Sequence, residues 1–193
     1  MKKKYLVCGS NNYYSEYSLF KVVKLDLLEC FKVPGNMVTI EELLQMKGIE
    51  LYSNIRKRRR GGGTAVAVCS KSFTISRLDL KIPRGLELTV ALIKTKSSNP
   101  LSRPIIAFAI YSSPKSKFKE DLLDFLRKQI PKIKSNYPRA SFILGGDRNS
   151  IPLEAFSKIY PGIHQLNRKP TRKNKILDFI ATDLYIYFEE PII

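Results

Sequence analysis

The stretch Phe142-Ile143-Leu144-Gly145-Gly146-Asp147-Arg148-Asn149-Ser150 places a carboxylate and a carboxamide two positions apart, just after an apolar run. The run reads as a buried strand that ends on the two glycines. In an extended chain, residues i and i+2 point the same way. Asp147 and Asn149 are therefore expected to converge at the strand's C-terminal mouth. A carboxylate there can take a proton, and an amide can hold a water or a phosphoryl oxygen. That is half of a hydrolytic site. Asp178 lies among Ile176, Leu177, Phe179 and Ile180. An acid within such a strand is expected to be buried and to need a partner. Backbone amides would make it structural; a histidine would make it an orienting acid. Tyr111 closes another apolar run, before Ser112-Ser113-Pro114. It is a core residue with a satisfied hydroxyl unless Asp147 lies beside it, when it joins the site.

These residues sit on a strongly basic chain of 193 residues, with 34 Lys and Arg against 17 Asp and Glu and a formal charge of +17. Such an excess favours polyanions, nucleic acid first; a membrane-surface or solubility role is the plainer alternative. Arg56-Lys57-Arg58-Arg59-Arg60 runs into Gly61-Gly62-Gly63 and then a β-branched segment, Thr64-Ala65-Val66-Ala67-Val68-Cys69. A P-loop or dinucleotide fingerprint requires a helix after its glycines, so both are excluded. The run reads as a tight hairpin or as a basic loop on a nucleic-acid backbone. The only histidine is His164, which argues against a His/Cys zinc site. Cys8, Cys30 and Cys69 are odd in number and lack metal spacing, which suggests a reducing compartment. The apolar part of Met1-Lys2-Lys3-Lys4-Tyr5-Leu6-Val7-Cys8 is too short for a signal core or a membrane span.

The elements that must position these groups can be read in outline. Residues 19–31 have helix-like apolar spacing, and Pro34-Gly35-Asn36 breaks the chain. Thr39 and Glu42 form a capping box for a helix start. Strands are expected over 64–69, 73–80, 86–94 and 104–112, separated by Pro83-Arg84-Gly85 and Ser97-Ser98-Asn99-Pro100. Their quick succession predicts antiparallel pairing. The clearest helix spans 117–130, with Ser116 as cap, Phe118, Leu122, Leu126 and Ile130 on one stripe, and Pro131 beginning the exit. A strand over 140–144, a short helix over 152–159 and a strand over 175–181 complete the pattern. The size suits one domain with a substantial core. The fold class is α+β, with two sheets packed face to face.

Taken in order, the motifs Gly61-Gly62-Gly63-Thr64-Ala65-Val66, the strand opening at Glu87, Tyr111-Ser112-Ser113-Pro114, the amphipathic helix, Gly146-Asp147-Arg148-Asn149, Pro170-Thr171-Arg172 and Leu177-Asp178-Phe179-Ile180 form a series. The series resembles the endonuclease/exonuclease/phosphatase superfamily, and within it the apurinic-type endonuclease domain of non-LTR (LINE-like) retrotransposons. The likeness covers residues 48–185; residues 1–36 match poorly.

The resemblance implies a DNase I-like four-layer α/β sandwich of mostly antiparallel or mixed sheets, forming a single domain over 1–193. It implies a metal-dependent phosphodiester hydrolase acting on DNA. Asp147 would activate the attacking water, Asn149 would position it, Tyr111 would hydrogen-bond the scissile phosphate, and Asp178 would orient a histidine. One Mg²⁺ or Mn²⁺ would neutralise developing charge. Arg58, Arg60, Arg148, Thr171 and Arg172 would contact the nucleic acid. An intracellular, nuclear, monomeric protein with no membrane association is expected.

The sequence also departs from the family pattern. Its N-terminal asparagine has only Asn11 or Asn12 as counterpart, and its metal-binding glutamate only Glu41 or Glu42. No Ser-Asp-His triplet follows Asp178, and Arg148 replaces the family's phenylalanine. A sandwich incomplete at its C-terminal side, with an exposed inner strand edge and weakened or absent catalysis, is therefore expected. The alternatives are a non-catalytic basic nucleic-acid-binding module and a phosphatase of the same superfamily.

Overall fold

The computed structural model describes residues 6–8, 20–24, 49–55, 63–96, 98, 102–112, 118–170 and 174–187. The strands are β1 (Leu6–Cys8), β2 (Phe20–Lys24), β3 (Ile49–Ile55), β4 (Gly63–Cys69), β5 (Phe73–Arg77), β6 (Glu87–Thr95), β7 (Ile105–Tyr111), β8 (Ser141–Asp147), β9 (His164–Gln165) and β10 (Asp178–Thr182). Among the described residues, the helices are α1 (Lys119–Asn136) and α2 (Leu153–Ile159), and a 3₁₀ turn spans Tyr185–Tyr187. Among the described residues, no helix is long and apolar enough to cross a membrane.

Two sheets form the expected α+β sandwich. Among the described residues, one has four strands in the order β1-β2-β4-β3 and the other six, in the order β5-β6-β7-β8-β10-β9. All pairings are antiparallel except β7 with β8. A parallel pair cannot be joined by a tight turn, and α1 provides the crossover. Side-chain alternation divides the six-stranded sheet between two cores. Leu88, Val90, Phe108, Ile110, Phe142 and Leu144 pack under Leu122, Phe125, Leu126 and Ile130 of α1. Ala91, Ile93, Ala107, Ala109, Ile143 and Ile180 face Val66 and Val68 of the other sheet.

Several expectations need correction. Residues 20–24, inside the stretch with helix-like spacing, form β2, which pairs with β1 on one side and β4 on the other. Tertiary pairing overrode a weak local period. The poorly matching N-terminal segment thus contributes two strands to the four-stranded sheet. The Thr39 cap and Ser116 lie outside the described residues. Helix α1 continues through Pro131 to Asn136. Pro131 faces solvent while Ile130 and Ile133 are buried, so the apolar stripe outlasts the missing hydrogen bond. The strand before Asp147 does not stop at its glycines but runs to the aspartate. β3 and β9 had no distinct sequence signal.

The expected bare edge beyond β10 is partly covered. β9 pairs with Ala181 and Thr182. Beyond it, the buried Asn167 side chain takes over. Its Oδ1 accepts from Ile180 N at 2.8 Å, and its Nδ2 donates to Asp178 O at 3.0 Å. One carboxamide supplies the donor and acceptor that a neighbouring strand would otherwise provide.

The opposite end of β10 is tied by Asp183. Its Oδ1 accepts from Phe142 N at 2.9 Å and its Oδ2 from the Tyr160 hydroxyl at 2.8 Å. Burial, followed by the hydrogen bond to Asp183 and that residue's charge, pushes the Tyr160 phenol above its ordinary range. The folded state therefore favours the neutral phenol. This contribution is complete below the unfolded phenol value of about 10 and declines as pH rises above it. In denaturation titrations between pH 8 and 11.5, wild-type stability should fall above about pH 10. Tyr160→Phe should make that fall shallower; an unchanged slope would remove Tyr160 from the account.

Candidate active site

Register brings the separated chemical residues into one row. Glu87 pairs with Tyr111 across β6 and β7. Tyr111 pairs with Asp147 across β7 and β8, and Asp147 with Asp178 across β8 and β10. Glu87 and Asp178 open their strands, while Tyr111 and Asp147 close theirs, so all four lie at one end of the sheet. Their alternation parity is that of Ala91, Ala109, Ile143 and Ile180, which places them on the face turned towards the four-stranded sheet. Neighbouring strands lie about 4.8 Å apart, which is also the step along the row.

Asp147 is only 5% exposed. It does not converge with Asn149 through an extended chain. Asn149 lies in a turn at φ 45°, and its N–H donates to Asp147 Oδ1 at 2.9 Å. Asn149 Nδ2 reaches back to Ser112 O at 2.6 Å, and Ser112 N donates to Asp147 O at 2.8 Å. The turn thus brings the Asn149 backbone N–H to the Asp147 carboxylate and its carboxamide to Ser112 O, fastening the Asp147 mouth to the end of β7. Asp178 begins its strand and is half-buried instead of sitting deep within it.

Gly146 makes the register possible. It has φ 130°, and a Cβ built there would lie 1.9 Å from Ile110 O. Only glycine tolerates both the dihedral and the close approach.

Arg148 is half-buried. Its N–H donates to Leu177 O at 2.9 Å and its Nη1 to Ile151 O at 2.5 Å. Burial pushes its guanidinium below its ordinary range, and the Glu154 carboxylate pulls it the other way. The side chain braces the turn after Asp147. Arg58, Arg60, Thr171 and Arg172 lie outside the described residues, as do Asn11, Asn12, Glu41 and Glu42. The strands flanking the arginine-glycine run are described. Asn54 pairs with Thr64, and Ile55 with Gly63. Asn54 Nδ2 donates to Leu88 O at 3.0 Å, and Thr89 Oγ1 donates to Thr64 O at 2.8 Å. Both ends of the basic segment are thus anchored beside Glu87. Glu87 itself is the member of the row that sequence reasoning gave no role. Its signal was a glutamate opening a strand antiparallel to the one that Tyr111 closes.

His164 stands apart. It pairs with Thr182, four residues along β10 from Asp178, or about 13 Å at strand rise. Its ring packs on Tyr185, with centroids 4.0 Å apart.

No protein-family model matches the sequence, and no curated protein matches it. Solved structures do. The endonuclease domain of TRAS1, a telomere-specific non-LTR retrotransposon, matches with TM-score 0.51 and 16% identity over 70% of this chain and 65% of that domain. The human Nocturnin catalytic domain matches with TM-score 0.56 and 13% identity over 84% and 68%. An endonuclease/exonuclease/phosphatase protein from Bacteroides vulgatus matches with TM-score 0.51 and 13% identity over 70% and 64%. The chain has the endonuclease/exonuclease/phosphatase fold, a DNase I-like pair of packed sheets. It spans just under two thirds of the TRAS1 domain's length.

Gly146→Ala should destabilise the protein by about 3 kcal/mol, from overpacking and left-handed strain together. Denaturant unfolding of the two proteins measures this directly, and a loss below about 0.5 kcal/mol would mean that β7 and β8 can separate without penalty.

Proposed function

We propose that this chain is a metal-dependent phosphodiesterase acting on DNA, an endonuclease of the retrotransposon type. The alignment of Glu87, Tyr111, Asp147 and Asp178 across neighbouring strands carries the proposal. Under this reading the protein works as a monomer on nuclear DNA.

Asp147 takes the proton of a water whose oxygen bonds to phosphorus. The opposite phosphorus–oxygen bond breaks, and the leaving oxygen departs with the bonding pair. The Tyr111 hydroxyl donates to a non-bridging phosphoryl oxygen. The Asn149 turn holds the Asp147 carboxylate in place. Asp178 was expected to act through a histidine, but His164 is too distant to be that partner.

The donor set can be tested against a divalent cation. Among the described residues, no group of three or more His, Cys, Asp and Glu is close enough to hold a metal alone. Mg²⁺ does not need such a cage: it takes one or two carboxylates and completes its shell with water and substrate phosphate. Asp178, directly opposite Asp147 on the neighbouring strand, offers such a carboxylate, and like charges so placed favour a cation beside them. Asp178 would hold the ion, which would supply charge neutralisation at the phosphoryl oxygens, and Asp147 keeps its role as base. The basic segment with Arg58 and Arg60, anchored beside Glu87, would grip the phosphate backbone, and Thr171 and Arg172 would do so from the segment before Asp178.

A supercoiled-plasmid nicking assay in Mg²⁺ tests this reading. Asp147→Ala should reduce nicking at least about 100-fold, and EDTA should abolish it. Equal nicking by both proteins would remove Asp147 from the chemistry. Salt-sensitive binding without nicking by either would support the non-catalytic module, and turnover of a soluble phosphate monoester alone would support a phosphatase.

A further inference from the structure

A groove of about 930 Å³ runs along the side of the sandwich where the edges of β3 and β5 meet. Its walls include Tyr52 and Asn54 from β3, and Arg77, Asp79, Lys81 and Arg84 from the end of β5 and the segment after it. It reaches Leu86, the neighbour of Glu87, and so opens onto the end of the sheet that carries the row.

The wall is rigid for a reason visible in the sequence. Residues 78–82 alternate, with Leu78, Leu80 and Ile82 packed against the core under α1. Their neighbours are exposed: Arg77, Asp79 and Lys81, followed by Arg84. Gly85, at φ 95°, then turns the chain into β6, and a Cβ there would lie 2.7 Å from the Phe118 ring. The facing wall is tied down by Ile75 N donating to Glu50 Oε2 at 3.4 Å and by Asn54 Nδ2 on Leu88 O. Three cations therefore line the groove against one carboxylate, Asp79, with a half-buried tyrosine among them that packs against the core between the sheets. A positive groove with an aromatic platform is the arrangement that holds unpaired nucleic acid: cations track the backbone, and a base stacks on the ring.

We propose that this groove binds an unpaired nucleic-acid strand and leads it to the row at the sheet end. The direction of travel rests on the phosphodiesterase reading; the binding does not.

The test is fluorescence-anisotropy binding of a labelled oligothymidylate 12-mer in EDTA, across a salt series. Arg77→Ala/Arg84→Ala should weaken binding and lower the salt slope by about 1.4, two single-strand contacts' worth. Tyr52→Ala should cost about 10-fold in affinity. The control pair Lys128→Ala/Lys132→Ala removes the same charge from the exposed side of α1 and should have less than half the effect. Equal losses from the groove pair and the control pair would overturn the proposal, as would a full-affinity groove pair. The exposed arginine variants keep the test decisive if Tyr52→Ala unfolds. Because binding is read without metal, a protein that never nicks can still pass. Conversely, groove variants that bind the 12-mer normally sink this inference and leave plasmid nicking untouched.

Discussion

The hydrogen-bonded contact between β7 and β8 is the constraint on which the rest depends. These two strands are parallel, and they approach so closely at Gly146 that a side chain there would collide with the Ile110 carbonyl. Their register sets Tyr111 beside Asp147. The antiparallel neighbours then extend the row to Glu87 on one side and Asp178 on the other. A slip of one residue in any of these pairings would turn a member to the opposite face. The two cores resist such a slip, because it would also bring apolar side chains out of the interior.

Buried polar groups of the described residues complete backbone pairing at the sheet ends and along its outer edge. At the row, the Asn149 turn and Ser112 satisfy groups that the ladder no longer reaches. At the far end, Asp183 and Tyr160 do the same for the start of β8. Along the outer edge, Asn167 stands in for a strand. All three solutions use a side-chain amide or carboxylate to finish backbone pairing, since a buried unpaired N–H or C=O costs about 1–3 kcal/mol. The consequence for function is rigidity: each end of β8 and β10 is fixed by something other than the sheet.

Parts of the site were legible in the residues. Asp147 and Asn149 stand out because they follow an apolar run, Tyr111 because it closes one and Asp178 because it interrupts one, where a polar residue needs a reason. Glu87 was visible but had no assigned partner, since only the pairing of β6 with β7 reveals its neighbour. The route from Asp147 to Asn149 was misread because glycines normally mark a strand's end, whereas here Gly146 serves a close contact inside the strand. β2 was obscured because five residues are too few to establish a period against a competing helical spacing. His164 has neither neighbour of the family's Ser-Asp-His triplet, and strand pairing places it at the far end of β10 from Asp178.

The order of apolar runs, turns and charges was enough to determine the class of fold, the long helix between two buried strands, and a polyanion as the expected partner. Those properties follow from local periodicity and summed charge, which every residue carries wherever it ends up. Which acids share a mouth, how far His164 lies from Asp178, and which cations line a groove were decided only by tertiary structure. These are relations between residues distant in the chain, and strand register fixes them through backbone hydrogen bonds that carry no side-chain signature.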